Sequence, residues 1–294
     1  MFEYKYKFND NALNTTYGSV CITNVVFDTE ELENALPEII FDDNNIKHMF
    51  AVSELDDKTK CRIYRRFIPK SNTADLCQFI EENLAYNKSF YSFLAEGLLG
   101  LIYRDLYSFK LAKGIIDLNE TLIDSHTGVD ACMYNLEENT IVLGEAKFYN
   151  DFNSGMKKII NDFTEGNIKN KLISLQTIAE NCDDTERIII KNLSCGDYEE
   201  LTIDRFMNQR ITFAGFVLHS ENNICKYKSK DFYKKYYISS NCIFKNIKES
   251  LHNNDINGEY NIILIHLPIH NKKSLILKVI ETARNKLSCL GDVL

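Results

Sequence analysis

Two β-type segments separated by a four-residue linker place the strongest constraint on how this chain can fold. Residues 128–135 and 140–149 are rich in β-forming residues, and both contain charged residues among apolar neighbours. Their spacing predicts an antiparallel hairpin. A symmetric loop of two or four residues gives the same register, in which Asn135 lies opposite Thr140.

Three charged side chains converge on one face of this hairpin. Side chains alternate along a strand, so Glu145 and Lys147 share a face, and Asp130 joins them because the register sets it opposite Glu145. Both faces are otherwise apolar or small, which indicates a sheet inside the protein. The charged face also carries Cys132, Tyr134, Ile141 and Leu143, and the other face carries Val129, Ala131, Met133, Val142, Gly144, Ala146 and Phe148.

Two opposed carboxylates in a protein interior need a compensating charge. Like charges on paired strands repel, and a buried unpaired carboxylate costs roughly several kcal/mol or takes up a proton. Mg²⁺, with Mn²⁺ as a substitute, suits hard oxygen ligands and leaves positions for a phosphate and an attacking water. We therefore interpret Asp130 and Glu145 as metal ligands and Lys147 as the group that orients the water or offsets charge on the phosphate. The alternative is that Lys147 pairs with one of these carboxylates in a buried ion network.

A predicted helix at residues 90–109 contributes a third carboxylate, Glu96. The helix is apolar around most of its circumference, which is typical of a core helix. Glu96 lies beside Gly97 and Gly100, and glycines permit close approach of a helix to a sheet. Two interpretations remain open: Glu96 completes the metal site, or it faces solvent or pairs with Arg104.

Residues 226–237 interleave five lysines with aromatic residues. Lysines neutralise phosphates and aromatic rings stack on unpaired bases, so this segment is a candidate for nucleic-acid contact. A second interpretation is an amphipathic helix whose lysines extend over a tyrosine-rich core face. A third is a partner-docking surface, since tyrosine is enriched at interfaces. The candidate contact residues are Lys226, Lys228, Lys234, Lys235 and Tyr236.

The composition is typical of an intracellular globular protein. With 294 residues the chain can bury a sizeable core, and its net charge of −8 argues against attraction of nucleic acid over the whole surface. Its nine cysteines form no CxxC pair, so neither a zinc site nor a disulfide framework is expected. No apolar run approaches the ~18 residues that cross a bilayer, so we expect a cytoplasmic protein without membrane contact. A GxxxxGK[ST] phosphate loop is absent, so a P-loop motor would have to come from another polypeptide.

Alternation of strands and helices along the chain predicts an α/β fold with a mixed central β-sheet flanked by helices. We expect a small N-terminal α/β module at residues 1–70, which could dock a partner, and a larger domain at residues 71–294, because Pro69 interrupts structure near residue 70. Beyond the hairpin and the helix at 90–109, the predicted strands are 2–8, 19–27, 48–53, 187–192, 211–219 and 260–269. Two further helices are predicted to begin after Thr29 and at Ala74. The remaining predicted helices are 154–182, with a break at Gly166, 198–208 and 272–287.

The charged residues of the predicted site resemble the motif of the PD-(D/E)XK nuclease superfamily. Glu96 on a helix, Asp130 on a strand, and Glu145 and Lys147 on the paired strand fall at its positions, with Val129 in place of the motif's proline. More narrowly, GVDA and LGEAKFY followed by a long helix resemble the HamA family, the nuclease subunits of Hachiman anti-phage defence systems, and its relative in the Abp defence system.

This resemblance, which covers mainly residues 95–181, implies a restriction-endonuclease-like core and a Mg²⁺-dependent DNA nuclease with little sequence preference. It further implies a heterodimer with a HamB-like helicase subunit, restrained until phage infection. The alternative is a catalytically inactive nuclease-fold subunit that binds DNA or regulates a partner helicase. An intact Lys147 favours catalysis, because binding alone needs no lysine at that position.

Overall fold

A mixed seven-stranded β-sheet organises the part of the chain that the computed structural model describes, namely residues 1–50, 52–70, 75–86, 90–111, 130–135, 137–138, 140–163, 210–252 and 260–291. The strand order is β1-β2-β7-β6-β5-β4-β3. Strands β2, β7, β6 and β5 run parallel to one another, and the outer pairs are antiparallel. The strands are β1 Phe2–Asp10, β2 Thr15–Ile22, β3 Lys110–Leu111, β4 Ala131–Asn135, β5 Thr140–Tyr149, β6 Arg210–Ser220 and β7 Tyr260–Ile269.

Helices cover both faces of this sheet, which confirms the predicted α/β fold with a mixed central sheet. Helices α1 to α5 and α8 pack on one face, and α6 and α7 pack on the other. Parallel strands covered on both faces need apolar residues on both, and β6 and β7 are accordingly buried along nearly their whole length. The helices are α1 Thr29–Ile40, α2 Asp43–Phe50, α3 Asp57–Arg66, α4 Leu76–Tyr86, α5 Phe93–Tyr107, α6 Phe152–Asp162, α7 Lys230–His252 and α8 Lys272–Cys289.

The first two strands belong to the same sheet as the hairpin. β1 pairs with β2, and β2 pairs in parallel with β7, where Thr15 lies opposite Ile262. The expected division between residues 1–70 and 71–294 stays a prediction, and residues 71–74 lie outside the described ranges. Among the described helices, none combines the length and the apolar character needed to cross a membrane.

One predicted strand is wrong, and of the predicted strand 19–27 only residues 19–22 lie in a strand, as the end of β2. Residues 48–50, which begin the predicted strand 48–53, form the last turn of α2 instead. The buried side chains Ile46, Met49 and Phe50 follow the three- and four-residue spacing of a helix, and this pattern overrides the β-forming residues of the segment. The predictions for the break at Gly166, the strand at 187–192 and the helix at 198–208 lie outside the described residues.

Two glycines lie where helices pack against the sheet beside the hairpin. A Cβ atom at Gly144 on β5 would lie 3.0 Å from Leu99 Cδ2 on α5. A Cβ atom at Gly155 on α6 would lie 2.5 Å from Val217 Cγ1 on β6. The second contact is closer than Cβ atoms come in real structures, so Gly155 permits the close approach of α6 to β6, whereas the first would require Leu99 to shift by a few tenths of an ångström.

Candidate active site

The hairpin has the register that the sequence predicts. Asn135 lies opposite Thr140 and Ala131 lies opposite Gly144 across the antiparallel pair β4 and β5. Asp130 directly precedes β4, and its Oδ2 accepts a hydrogen bond from the Ala146 backbone nitrogen at 2.8 Å. This bond holds the Asp130 carboxylate against β5.

Lys147 brings three carboxylates together. Its Nζ lies 3.3 Å from Asp130 Oδ2, 3.0 Å from Glu145 Oε2 and 3.1 Å from Asp162 Oδ2. The Glu145 side chain is 4% exposed and the other three are each less than a fifth exposed. The sequence therefore identified three of the four members of this cluster, and the ion network that it offered as an alternative is present.

The electrostatics of the cluster keep Lys147 charged. Burial alone would lower the pKa of Lys147, but the negative charges of Asp130, Glu145 and Asp162 outweigh it and raise that pKa well above its ordinary value. Burial would likewise raise the pKa of Asp162, but the attraction of Lys147 and hydrogen bonds from Lys158 and Lys147 lower it. The ammonium and the Asp162 carboxylate thus stabilise each other's charged forms.

Glu96 is buried on α5, with 8% of its surface exposed. Burial first, and then the charge of Asp130, raise the pKa of Glu96 to about 8, against smaller opposing effects of Ser92 and Lys147. Both causes favour the neutral form of Glu96, and the effect of Asp130 indicates that the two carboxyl groups lie near each other. The alternative that it faces solvent is wrong, and Arg104 pairs with Asp105 at 2.9 Å.

Sequence reasoning missed Asp162. It ends α6, whose start is capped by Asp151 accepting a hydrogen bond from the Ser154 backbone nitrogen at 2.8 Å. Asp162 follows the buried Gly155 by seven residues and the buried Ile159 by three, so it lies on the sheet-facing side of an amphipathic helix. A carboxylate on an apolar helix face was the signal that could have found it.

The lysine- and tyrosine-rich segment forms a 3-10 turn, Ile224–Lys228, and the start of α7. Its rings are buried: Tyr227, Tyr233, Tyr236 and Tyr237 are each at most 5% exposed. These rings are unavailable for stacking on bases, and the amphipathic arrangement describes this part of α7. The candidate contact residues Lys226, Lys228, Lys234 and Lys235 are exposed, whereas Tyr236 is not. Lys226 pairs with Glu221 and Lys234 with Asp231.

The carboxylates of the cluster fit a hard divalent cation by their chemistry. The partly buried Asp130 and the buried Glu145 present oxygen atoms to one cation, the Lys147 ammonium, and Mg²⁺ commonly takes only one or two protein carboxylates. Burial is the main cause of the raised pKa of Glu96, and the negative charges of Asp130 and Glu145 add to it. Within the described ranges, no three His, Cys, Asp or Glu side chains are grouped closely enough to hold a metal by themselves.

Comparison with known proteins assigns the family. No curated protein and no solved structure matches the chain significantly. One protein-family model, HamA, matches residues 4–283. This match includes every member of the cluster and all of the strands except the first two residues of β1, so the chain belongs to the HamA family of Hachiman antiviral defence proteins.

Proposed function

We propose that this protein is a Mg²⁺-dependent DNA nuclease that hydrolyses phosphodiester bonds with little sequence specificity. The observation that carries the proposal is the convergence of Asp130 and Glu145 on Lys147 at the end of a hairpin. Two carboxylates and a lysine are the groups that hydrolysis of a phosphodiester needs, for metal binding and for charge stabilisation. The HamA family membership and the resemblance to PD-(D/E)XK nucleases support the same chemistry.

Asp130 and Glu145 would hold the Mg²⁺ ion, and Glu96 would complete or support the site. When bound, the ion supplies Lewis-acid polarisation of the phosphate and offsets the charge that builds up there. Lys147 would hold the attacking water or a phosphate oxygen through an ammonium N–H. Asp162 would keep Lys147 protonated and oriented, because its carboxylate lies 3.1 Å from Nζ on the helix side.

The contacts of Lys147 support a coupling between metal binding and the availability of its ammonium group. An ammonium has three N–H donors, and three carboxylates surround Lys147 Nζ at 3.0 to 3.3 Å. Asp130 and Glu145 would turn from Lys147 to a bound Mg²⁺ ion, and the ammonium donors that they now occupy would then be available to the water or the phosphate.

The test is incubation of the purified protein with labelled linear and circular DNA, with Mg²⁺ and with EDTA. We expect cleavage only with Mg²⁺, and circular DNA separates endonuclease from exonuclease activity. Glu145→Gln should abolish cleavage. Glu138→Gln, the same change at an exposed residue in the turn of this hairpin, is the matched control and should cleave like wild type.

We further propose that the protein acts as the effector subunit of a complex with a HamB-like helicase and is restrained there until infection. The membership of an antiviral defence family supports this, and a nuclease without restraint would endanger its own host. Pull-down from a host that expresses the neighbouring genes should recover a helicase, and adding that helicase with DNA should change the cleavage rate. Recovery of the chain alone, with unchanged activity when the helicase is supplied, would contradict this proposal.

A second candidate function is a non-catalytic subunit that binds DNA or regulates a partner helicase. The observation that favours it is the completeness of the ion network, since three carboxylates satisfy Lys147. In that case Glu145→Gln would leave defence against phage intact, whereas a nuclease would lose it.

A further inference from the structure

A groove of about 430 Å³ lies between α6 and α7, the two helices that cover one face of the sheet. Asn153, Lys157 and Asn161 line it from α6, and they share one side of that helix because they are spaced by four residues. Lys235 and Tyr236 line it from α7. The groove is therefore a structured cleft between two packed helices.

The groove presents positive charge and hydrogen-bond donors. Two of the side chains that line it are lysines, and none of the lining side chains in the described part of the chain is acidic. Tyr236 Oη donates to Asn153 Oδ1, and Lys235 Nζ lies 3.4 Å from the same oxygen. The acceptor of Asn153 is therefore used within the protein, and its amide N–H groups remain as donors.

Lys235 is held in place at the groove. Its Nζ lies 4.8 Å from the centre of the Tyr236 ring and 5.2 Å from that of Phe232, which are cation–π contacts. Neither Lys157 nor Lys235 forms an ion pair with any residue in the described ranges, unlike Lys158, which pairs with Asp162 at 3.0 Å. Although the protein has a net charge of −8, two lysines on facing helices, neither of them paired with an acidic residue in the described part of the chain, give the groove a local positive charge.

The groove and the candidate active site share one helix. Asp162, which contacts Lys147, directly follows Asn161 in the groove wall. Lys157 precedes Asp162 by five residues, which is ~7.5 Å along a helix axis and about 140° around it, so the two side chains lie on different sides of α6. A strand whose scissile phosphate lies at Lys147 would therefore reach the groove around the C-terminal end of α6, where Asp162 and Asn161 are neighbours.

We infer that the groove between α6 and α7 binds the phosphate backbone of the DNA strand that enters the active site, with Lys157 and Lys235 as the phosphate contacts. This inference rests on the proposed nuclease function and adds to it the surface that positions the substrate. It accounts for local DNA binding by an acidic protein without base contacts, because phosphate contacts carry affinity and no sequence preference.

The test is DNA binding measured by fluorescence anisotropy in EDTA, so that cleavage cannot remove the probe. The variant is Lys157→Glu with Lys235→Glu. The matched control is Lys47→Glu with Lys58→Glu, two exposed lysines on α2 and α3 beyond the opposite face of the sheet, which change the net charge equally. We expect the groove variant to bind at least about tenfold more weakly and the control to bind within about twofold of wild type.

A second variant removes charge without adding repulsion. Lys157→Gln with Lys235→Gln should make the salt dependence of binding shallower. The negative slope of log binding constant against log salt should decrease in magnitude by about 1.8 on duplex DNA, because each phosphate that a lysine neutralises contributes about 0.9 to that magnitude. Thermal melting of every variant checks that the fold is retained. We expect the fold to be retained because both lysines are exposed.

Three outcomes would overturn the inference: wild-type binding by the groove variant, an equal loss in the control pair, or preference for RNA of the same sequence over DNA. The separate Mg²⁺ cleavage assay distinguishes the two proposals. If the wild type cleaves DNA and the groove variant still binds normally, the nuclease function stands and the groove assignment fails. If the wild type neither binds nor cleaves DNA, both fail.

Discussion

Lys147 on β5 and Asp162 on α6 form an ion pair in which Nζ and Oδ2 are 3.1 Å apart. The pair joins the strand that carries the candidate site to the helix that covers it. It also places a third carboxylate on Lys147 beside Asp130 and Glu145. Asp162 is thus a positioning residue for Lys147.

Replacement of Asp162 by Asn should slow DNA cleavage without abolishing it. The change removes one charge-assisted contact of Lys147, which is worth about 1.5 kcal/mol, and Asp130 and Glu145 remain. We expect a loss of about tenfold in kcat. Cleavage assays at saturating DNA measure it, with Glu138→Gln as control. A loss as large as that of Glu145→Gln would show that Asp162 acts as a metal ligand and not through Lys147.

Replacement of Lys147 by Met should abolish cleavage and destabilise the protein. The change leaves Glu145 and Asp130 buried without their cation, and breaking a buried ion pair in this way costs about 3 kcal/mol or more. Chemical denaturation with EDTA measures the loss. A Mg²⁺ ion bound at the proposed site would supply the missing charge, so part of the stability should return when the ion is added. Unchanged stability in EDTA would contradict the ion network.

Mg²⁺ or Mn²⁺ should raise the Tm of the wild type and not that of Asp130→Asn. A ligand that binds only the native state at 100 times its Kd adds about 2.7 kcal/mol of stability. For a chain of this size each kcal/mol corresponds to roughly 2 to 4 °C in Tm. Thermal melting across a metal titration measures the shift. Equal shifts in both proteins would place the ion away from Asp130.

Acidification should weaken the fold through two buried histidines. Oγ of Ser19 is 3.0 Å from Oη of Tyr233, which is 3.0 Å from His266 Nε2. His266 Nδ1 is in turn 3.0 Å from His219 Nε2. His219 Nδ1 lies 3.2 Å from the Ser220 carbonyl oxygen, which accepts a hydrogen bond from it. The chain of bonds is complete when both imidazoles are neutral, because each ring then donates once and accepts once.

The sign of the effect follows from the pKa shifts. Burial lowers the pKa of His219 to about 4 and that of His266 well below its ordinary value. Between about pH 6.5 and about pH 4 the unfolded chain therefore binds more protons than the folded protein, so stability decreases as the pH is lowered, by about 1.4 kcal/mol per pH unit for each histidine. Denaturation at several pH values in this range measures the slope, and His219→Gln should make it shallower. An unchanged slope in that variant would contradict the assignment.

Local patterns determined the hairpin. The alternation of side chains and the four-residue linker act between neighbours in sequence, so they specified the register of Asn135 with Thr140 and put Glu145 and Lys147 on one face. Core helix α5 with Glu96 and the strands at 211–219 and 260–269 were predictable for the same reason, since each carries its own periodic apolar pattern.

Long-range packing decided what the patterns left open. Three features depend on contacts between residues far apart in the chain: β2 lies beside β7, Asp162 contacts Lys147, and Glu96 is buried. A periodic pattern in the sequence does not predict which distant residues come together. Gly155 is visible in the sequence, yet only the packed structure shows that it permits the close approach of α6 to β6. The sequence by itself thus determined which charged groups share the hairpin face, and tertiary packing determined which further carboxylates surround them, because burial and charge balance depend on all the elements that meet there.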